Sequence, residues 1–155
     1  GTATLTLDAA AGVTTAYAGN ITGSGGLTKT GASTQTLTGT NTYTGATTVN
    51  GGTLRLDYSA ATAPTSNIIS SASTLNMGGG VLNVIGAAGE ANTQTFNGLL
   101  VTAGNNTIGA TSGTGGSMTL NLGAITRTDG SLESCTVKLP RRCTTRSRPS
   151  ASSRT

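Results

Sequence analysis

The sequence predicts an all-β fold in which short strands stack as a solenoid of roughly five to six rungs, with essentially no α-helix. Three observations carry that expectation. Apolar residues alternate with threonine at period two over most of the chain. Glycine clusters at 23–26, 50–52, 78–80 and 113–116 punctuate the alternating runs, and glycine supplies the positive φ that a corner needs. No segment carries the 3.6-residue apolar stripe of an amphipathic helix.

Taken in order, "TATLTLD" sets Ala3, Leu5 and Leu7 against Thr2, Thr4 and Thr6, as a half-buried strand should. Its Thr-Leu-x-Leu pattern returns at Thr53, and Thr119 opens another copy; Thr74-Leu75-Asn76-Met77 is a close variant. From Thr4, the separations are 49, 21 and 45 residues, near two, one and two units of roughly 21–25 residues, which is a stacked-repeat spacing. Pro64, the one proline before the C-terminal end, lies in "SAATAPTSN", a longer surface loop. An antiparallel β-sandwich would use similar strands, but the evenly spaced two-residue hairpin signals that it favours are missing.

The composition narrows the function. In 155 residues there are 24 glycines, no histidine and no tryptophan, with 3% aromatic and 9% charged residues. One domain is expected, with a thin core of small apolar side chains. Up to Thr126 the charges are Lys29 and Arg55 against Asp8, Asp57 and Glu90, a balance of −1. From Arg127 onward seven basic residues face Asp129 and Glu133, so the net +4 belongs to the C-terminal end. No apolar run reaches transmembrane length, so the fragment is not expected to embed in a membrane. Gly1 is followed by no charged or apolar leader, and the chain reads as a processed product.

The segment Gly23 to Leu56, "GSGGLTKTGASTQTLTGTNTYTGATTVNGGTLRL", resembles the autotransporter-associated β-strand repeat, or passenger-associated transport repeat. The resemblance rests on "GGLTKTG", "LTGTNTYTG" and "TTVNGGTLRL", and its flanks extend it over most of residues 1–127. It implies a right-handed parallel β-helix from a bacterial secreted or cell-surface passenger, associated with passenger structure and export and with no known active site. Two departures stand out: no C-terminal membrane barrel follows, and the strand pattern does not continue after "AITR". Placed against this repeat, the threonines at every even position from Thr34 to Thr44 become two short strands broken near Gly39-Thr40-Asn41. Leu37 and Tyr43 are then inward anchors, and the threonines line the outside with their hydroxyls in water.

Residues 128–155 change character. No asparagine follows Asn121, and Arg, Ser and Pro accumulate without a strand period. The segment is either a non-native continuation or a terminal piece that caps the solenoid end, with a Cys135–Cys143 disulfide as its candidate staple. Arg141, Arg142, Arg146, Arg148 and Arg154 could contact phosphates, but no aromatic residues interleave them for base stacking, so no nucleic-acid partner is expected.

Catalytic chemistry finds few residues. Without histidine the common nucleophilic triads are excluded. The glycine runs lack the Gly-Lys-Ser/Thr of a phosphate loop and the aspartate of calcium-binding solenoids, so no cofactor, metal or catalytic residue is expected. Asp8 and Asp57 each follow an L-x-L strand. At equivalent corners two rungs apart they would stand roughly 10 Å from one another, within reach of inverting glycoside hydrolysis. Two solvated strand ends is the plainer reading. Tyr17, Tyr43 and Tyr58 form a sugar-stacking patch if exposed together, and otherwise fill corners or grooves of the solenoid. The expected function is a non-enzymatic scaffold, a stalk or adhesin segment, with host-surface or glycan contact. The alternatives are a filament subunit that self-associates through β-helix ends, and a carbohydrate-active β-helix enzyme.

Overall fold

The computed structural model describes residues 2–102 and 104–128, together with the backbone of strands Cys135–Lys138 and Cys143–Arg148. Fourteen strands follow one another: β1 (Leu5–Leu7), β2 (Thr14–Tyr17), β3 (Leu27–Lys29), β4 (Thr34–Leu37), β5 (Thr47–Val49), β6 (Thr53–Asp57), β7 (Leu75–Met77), β8 (Val81–Ile85), β9 (Ala91–Thr95), β10 (Leu99–Val101), β11 (Asn106–Thr111), β12 (Ser117–Arg127), β13 (Cys135–Lys138) and β14 (Cys143–Arg148). No helix occurs among the described residues.

Successive strands do not pair with each other. β1, β3, β5, β7, β10 and the end of β12 form one stack; β2, β4, β6, β8, β11 and β13 form a second. Every strand pair is parallel. That register belongs to a β-solenoid and excludes the antiparallel sandwich. On a third side, the isolated bridges Asn41↔Ile69 and Ser66↔Thr93 lead into the paired strands β9, β12 and β14. β12 serves two stacks because it bends at Gly123 (φ 64), where its register against β14 shifts.

Alternation builds the core. In the first stack Leu27, Thr47, Leu75 and Leu99 lie in register and face inward, as do Lys29, Val49, Met77 and Val101. In the second stack Leu54, Leu82 and Ile108 form one inward row, and Leu37, Leu56, Val84 and Ala110 another. Each fully buried Leu, Ile or Val contributes about 1.5–3 kcal/mol, so a thin core becomes adequate by repetition.

The spacing of Thr-Leu-x-Leu words proves to be a poor guide to the rungs. Thr4 and Thr74 introduce strands of the first stack, Thr53 begins a strand of the second, and Thr119 lies on the third side. True partners are 20 residues apart at Leu27↔Thr47 and 28 apart at Thr47↔Leu75. What repeats is the inward phase of each strand, and corners absorb different lengths. The longer rung holds the loop expected around Pro64, which ends at Asn67 in the left-handed region (φ 53).

The threonine run is also corrected in part. β4 ends at Leu37, and beyond the break only Asn41 forms a bridge before β5 opens at Thr47. Leu37 and Tyr43 are buried as expected, and Thr40, Thr42 and Thr44 are exposed. Thr36 and Thr38, however, are only 7% exposed. Thr36 stands in register between Ala16 and Arg55, so its outward neighbours cover it.

Candidate functional site

The one acidic pair that could have carried hydrolysis is taken apart by the fold. Asp8 follows β1 at the corner that leads into the second stack, whereas Asp57 ends β6 at the far side of that stack. The two corners are therefore not equivalent, and the expected face-sharing pair does not form. Asp57 is occupied locally: Arg55 Nη2 donates to its Oδ2 at 2.8 Å, and the Ser59 backbone N–H donates to Oδ1 at 3.0 Å. Glu90 accepts from Asn92 Nδ2 at 3.3 Å. Among the described residues no three His, Cys, Asp or Glu side chains gather as a metal would require, and no helix is long and apolar enough to cross a membrane.

The tyrosines separate too. Tyr43 and Tyr58 are buried and Tyr17 is exposed, so they form no shared sugar-stacking patch. Burial pushes the Tyr58 phenol up to about 12, against the opposing pull of backbone hydrogen bonds at Ile68 and Asn67. Burial raises Tyr43 as well, against its hydrogen bond with Thr47. Cys135 and Cys143 open β13 and β14 in different stacks, and their side chains, like those of Arg146 and Arg148, lie outside the described residues. Arg141, Arg142 and Arg154 lie outside them as well.

What the fold does assemble is a set of polar outer faces over a polar-stapled interior. On the first stack Thr6, Thr28, Thr48 and Asn76 stand in register between the inward rows. On the second, Thr14, Thr34 and Thr53 form a row, and Ala16, Thr36, Arg55 and Asn83 another. Parallel strands lie about 4.8 Å apart, so each row is a ladder of closely spaced, nearly uncharged hydrogen-bonding groups.

The interior polar residues escaped the sequence reading. Asn41 Nδ2 donates to Gly39 O and Ile68 O, both at 2.9 Å, while its Oδ1 accepts from Ile21 N–H at 3.0 Å, joining three rungs. Gln94 Nε2 donates to Ile69 O at 2.8 Å, and its Oε1 accepts from Ile69 N–H and from the Tyr58 hydroxyl. Lys29 is fully buried, with its ammonium on the carbonyls of Thr30 and Gly31. Desolvation lowers the Lys29 pKa, and the nearby charge of Asp8 opposes that shift. The signal was phase: Lys29 follows Leu27 by two residues, and Gln94 precedes Phe96 by two, so both share the inward parity.

The span from Leu27 to Leu56 thus comprises β3 to β6, two successive rungs with their corners. The family model described as passenger-associated-transport-repeat matches residues 27–56, the same two rungs. Residues 27–56 are a passenger-associated-transport-repeat. The chain is 56% identical over 133 residues, 86% of its length, to the "Adhesin BmaC autotransporter" of Brucella suis biovar 1 (strain 1330). The chain spans only 4% of that relative's length. No solved structure matches it. As passenger-associated-transport-repeat sequence of the autotransporter type, the chain belongs outside the cell, secreted or at the bacterial outer-membrane surface.

Proposed function

We propose that this passenger-associated-transport-repeat chain is a non-enzymatic scaffold segment of a bacterial surface adhesin, and that its threonine- and asparagine-rich outer ladders make the contact. The observation that carries the reading is the division of labour along each strand. Inward rows are spent on stacking, and the outer rows present hydroxyl and amide groups with almost no charge. The 56% identity to a protein named as an adhesin supports it. The separation of Asp8 from Asp57 supports the non-enzymatic part. Host-surface glycans are the partner class that such ladders suit, because dense hydroxyl and amide groups can exchange hydrogen bonds with sugars at little desolvation cost.

The test coats inert beads with the folded chain and counts their attachment to cultured host cells. The wild-type chain and an Asp8→Asn/Asp57→Asn variant should attach equally. A Thr28→Glu/Thr48→Glu variant, shown by its cooperative melting to be folded, should attach at least about tenfold less, since its added carboxylates replace two hydroxyls of the ladder and repel an anionic cell surface. Equal attachment of that variant, or no attachment by the wild-type chain, would sink the contact role.

A further inference from the structure

Arg55, on the outer face of the second stack, is placed in a way that packing does not explain. Among the described residues before Arg127 it is the one solvent-facing side-chain cation, because Lys29 is fully buried. Its Nη2 donates to Asp57 Oδ2 at 2.8 Å, and an exposed pair of this kind adds little to stability. Against that gain, its Nε–H is buried and meets no acceptor, which costs more than the pair contributes. Threonine or asparagine, the residues in register with it at Thr36 and Asn83, would fill the row without that cost. The guanidinium nevertheless stays 38% exposed, whereas Asp57 is 14% exposed and its Oδ1 is taken by the Ser59 N–H and hydroxyl. The anion is turned in and satisfied. The cation is turned out, with Nη1 free of any partner among the described residues.

We propose that Arg55 anchors a binding site for a carboxylate-bearing sugar, a sialic or hexuronic acid unit of a glycan, on the outer face of the second stack. Nη1 and the remaining Nη2 hydrogen can meet one planar carboxylate, the geometry for which a guanidinium is suited. No second exposed cation stands on the described rungs around it, so a densely sulfated or phosphorylated chain, which needs several, fits less well. The surroundings of Arg55 suit a sugar ring. Asn83, half-buried on the next rung, offers an amide that both donates and accepts. Val81 and Ile85, half-buried on either side of Asn83, give apolar surface for the C–H groups of a ring. One rung further, Gly109 stands in register with Asn83 and carries no side chain, which leaves room for a ring lying along the row. The inference rests on the glycan-contact reading and deepens it, naming the sugar class and a contact point on a different face from Thr28 and Thr48.

The experiment titrates the folded chain with sialyllactose, with a hyaluronan tetrasaccharide and with lactose, and follows backbone amide and arginine side-chain shifts by NMR. At least one acidic sugar should bind about tenfold or more tightly than lactose, with the largest shifts at Arg55, Asn83 and Ile85. Whichever acidic sugar responds identifies the unit. Its methyl ester should fall to the level of lactose, and raising NaCl from about 50 to about 500 mM should weaken the free acid several-fold. Arg55→Gln, shown by cooperative melting to be folded, should lose the preference for the acid. Arg55→Lys, which keeps the charge without the fork, should retain only part of it. The inference is overturned if neither acidic sugar binds more tightly than lactose, if the ester binds as the acid does, or if Arg55→Gln binds like the wild-type chain. Bead attachment is read separately. Beads that fail to attach while the acid binds at Arg55 would refute the ladder contact alone, and attachment without any acid preference would refute this site alone.

Discussion

Lys29 shows how little a residue's class says about its place here. Among the described residues it is the one cation in the interior rows, between Leu7 and Val49, and its stem packs while its ammonium binds two corner carbonyls. Lys29→Ala removes the packing and strands those carbonyls, and chemical denaturation should register a loss of about 3 kcal/mol. Lys29→Met, which matches Met77 in the same row, should lose clearly less. Glycine is equally specific at Gly45, where a β-carbon would stand 2.5 Å from the carbonyl carbon of Gly25 on the rung below. Gly45→Ala should therefore cost more than about 2 kcal/mol by the same measurement, because backbone and not a flexible side chain would have to move. A loss under about 0.5 kcal/mol would show that the rungs are not in such close contact.

At the scale of the element, the loop between β6 and β7 is the irregular piece, and Tyr58 ties it down. Its hydroxyl donates to Gln94 Oε1 at 2.9 Å and accepts from Ile68 N–H at 3.2 Å. Tyr58→Phe should cost about 1–3 kcal/mol and speed amide exchange in residues 66–69. The same phenol gives the molecule an alkaline limit. Its folded pKa of about 12 exceeds the unfolded value of 10.0, so its stabilising effect is complete below pH 10 and is lost as pH rises through about 12. Buried Tyr43 acts in the same direction. Urea midpoints measured from pH 9 to 11.5 should fall, and Tyr58→Phe should flatten the fall. A midpoint that held constant across that range would contradict the burial of both phenols. Period-two alternation made these strands legible in the sequence. It could not say that Asn41, Asn92 and Gln94 occupy inward positions, because a polar residue in the inward phase looks the same as a slip in the pattern.

Across the described residues the molecule is a stack of similar rungs, and burial falls toward β1 and β2. Leu82 sits in a continuous inward row and is fully buried, whereas Leu5 is largely exposed. Leu82→Ala should cost about 2–5 kcal/mol and Leu5→Ala less than about 0.5 kcal/mol, measured by thermal or urea unfolding. Equal costs would mean that the end rung is packed like the interior. The sequence by itself determined the all-β solenoid, the glycine corners and the scarcity of acid–base groups, since each depends on local phase, turn chemistry or residue inventory. Only the tertiary structure decided which strands share a stack, that Asp8 and Asp57 lie at opposite corners, and that Lys29 and Gln94 are inside. Those facts depend on how many residues each corner absorbs, and corner length here varies from rung to rung without altering the alternation that the sequence displays.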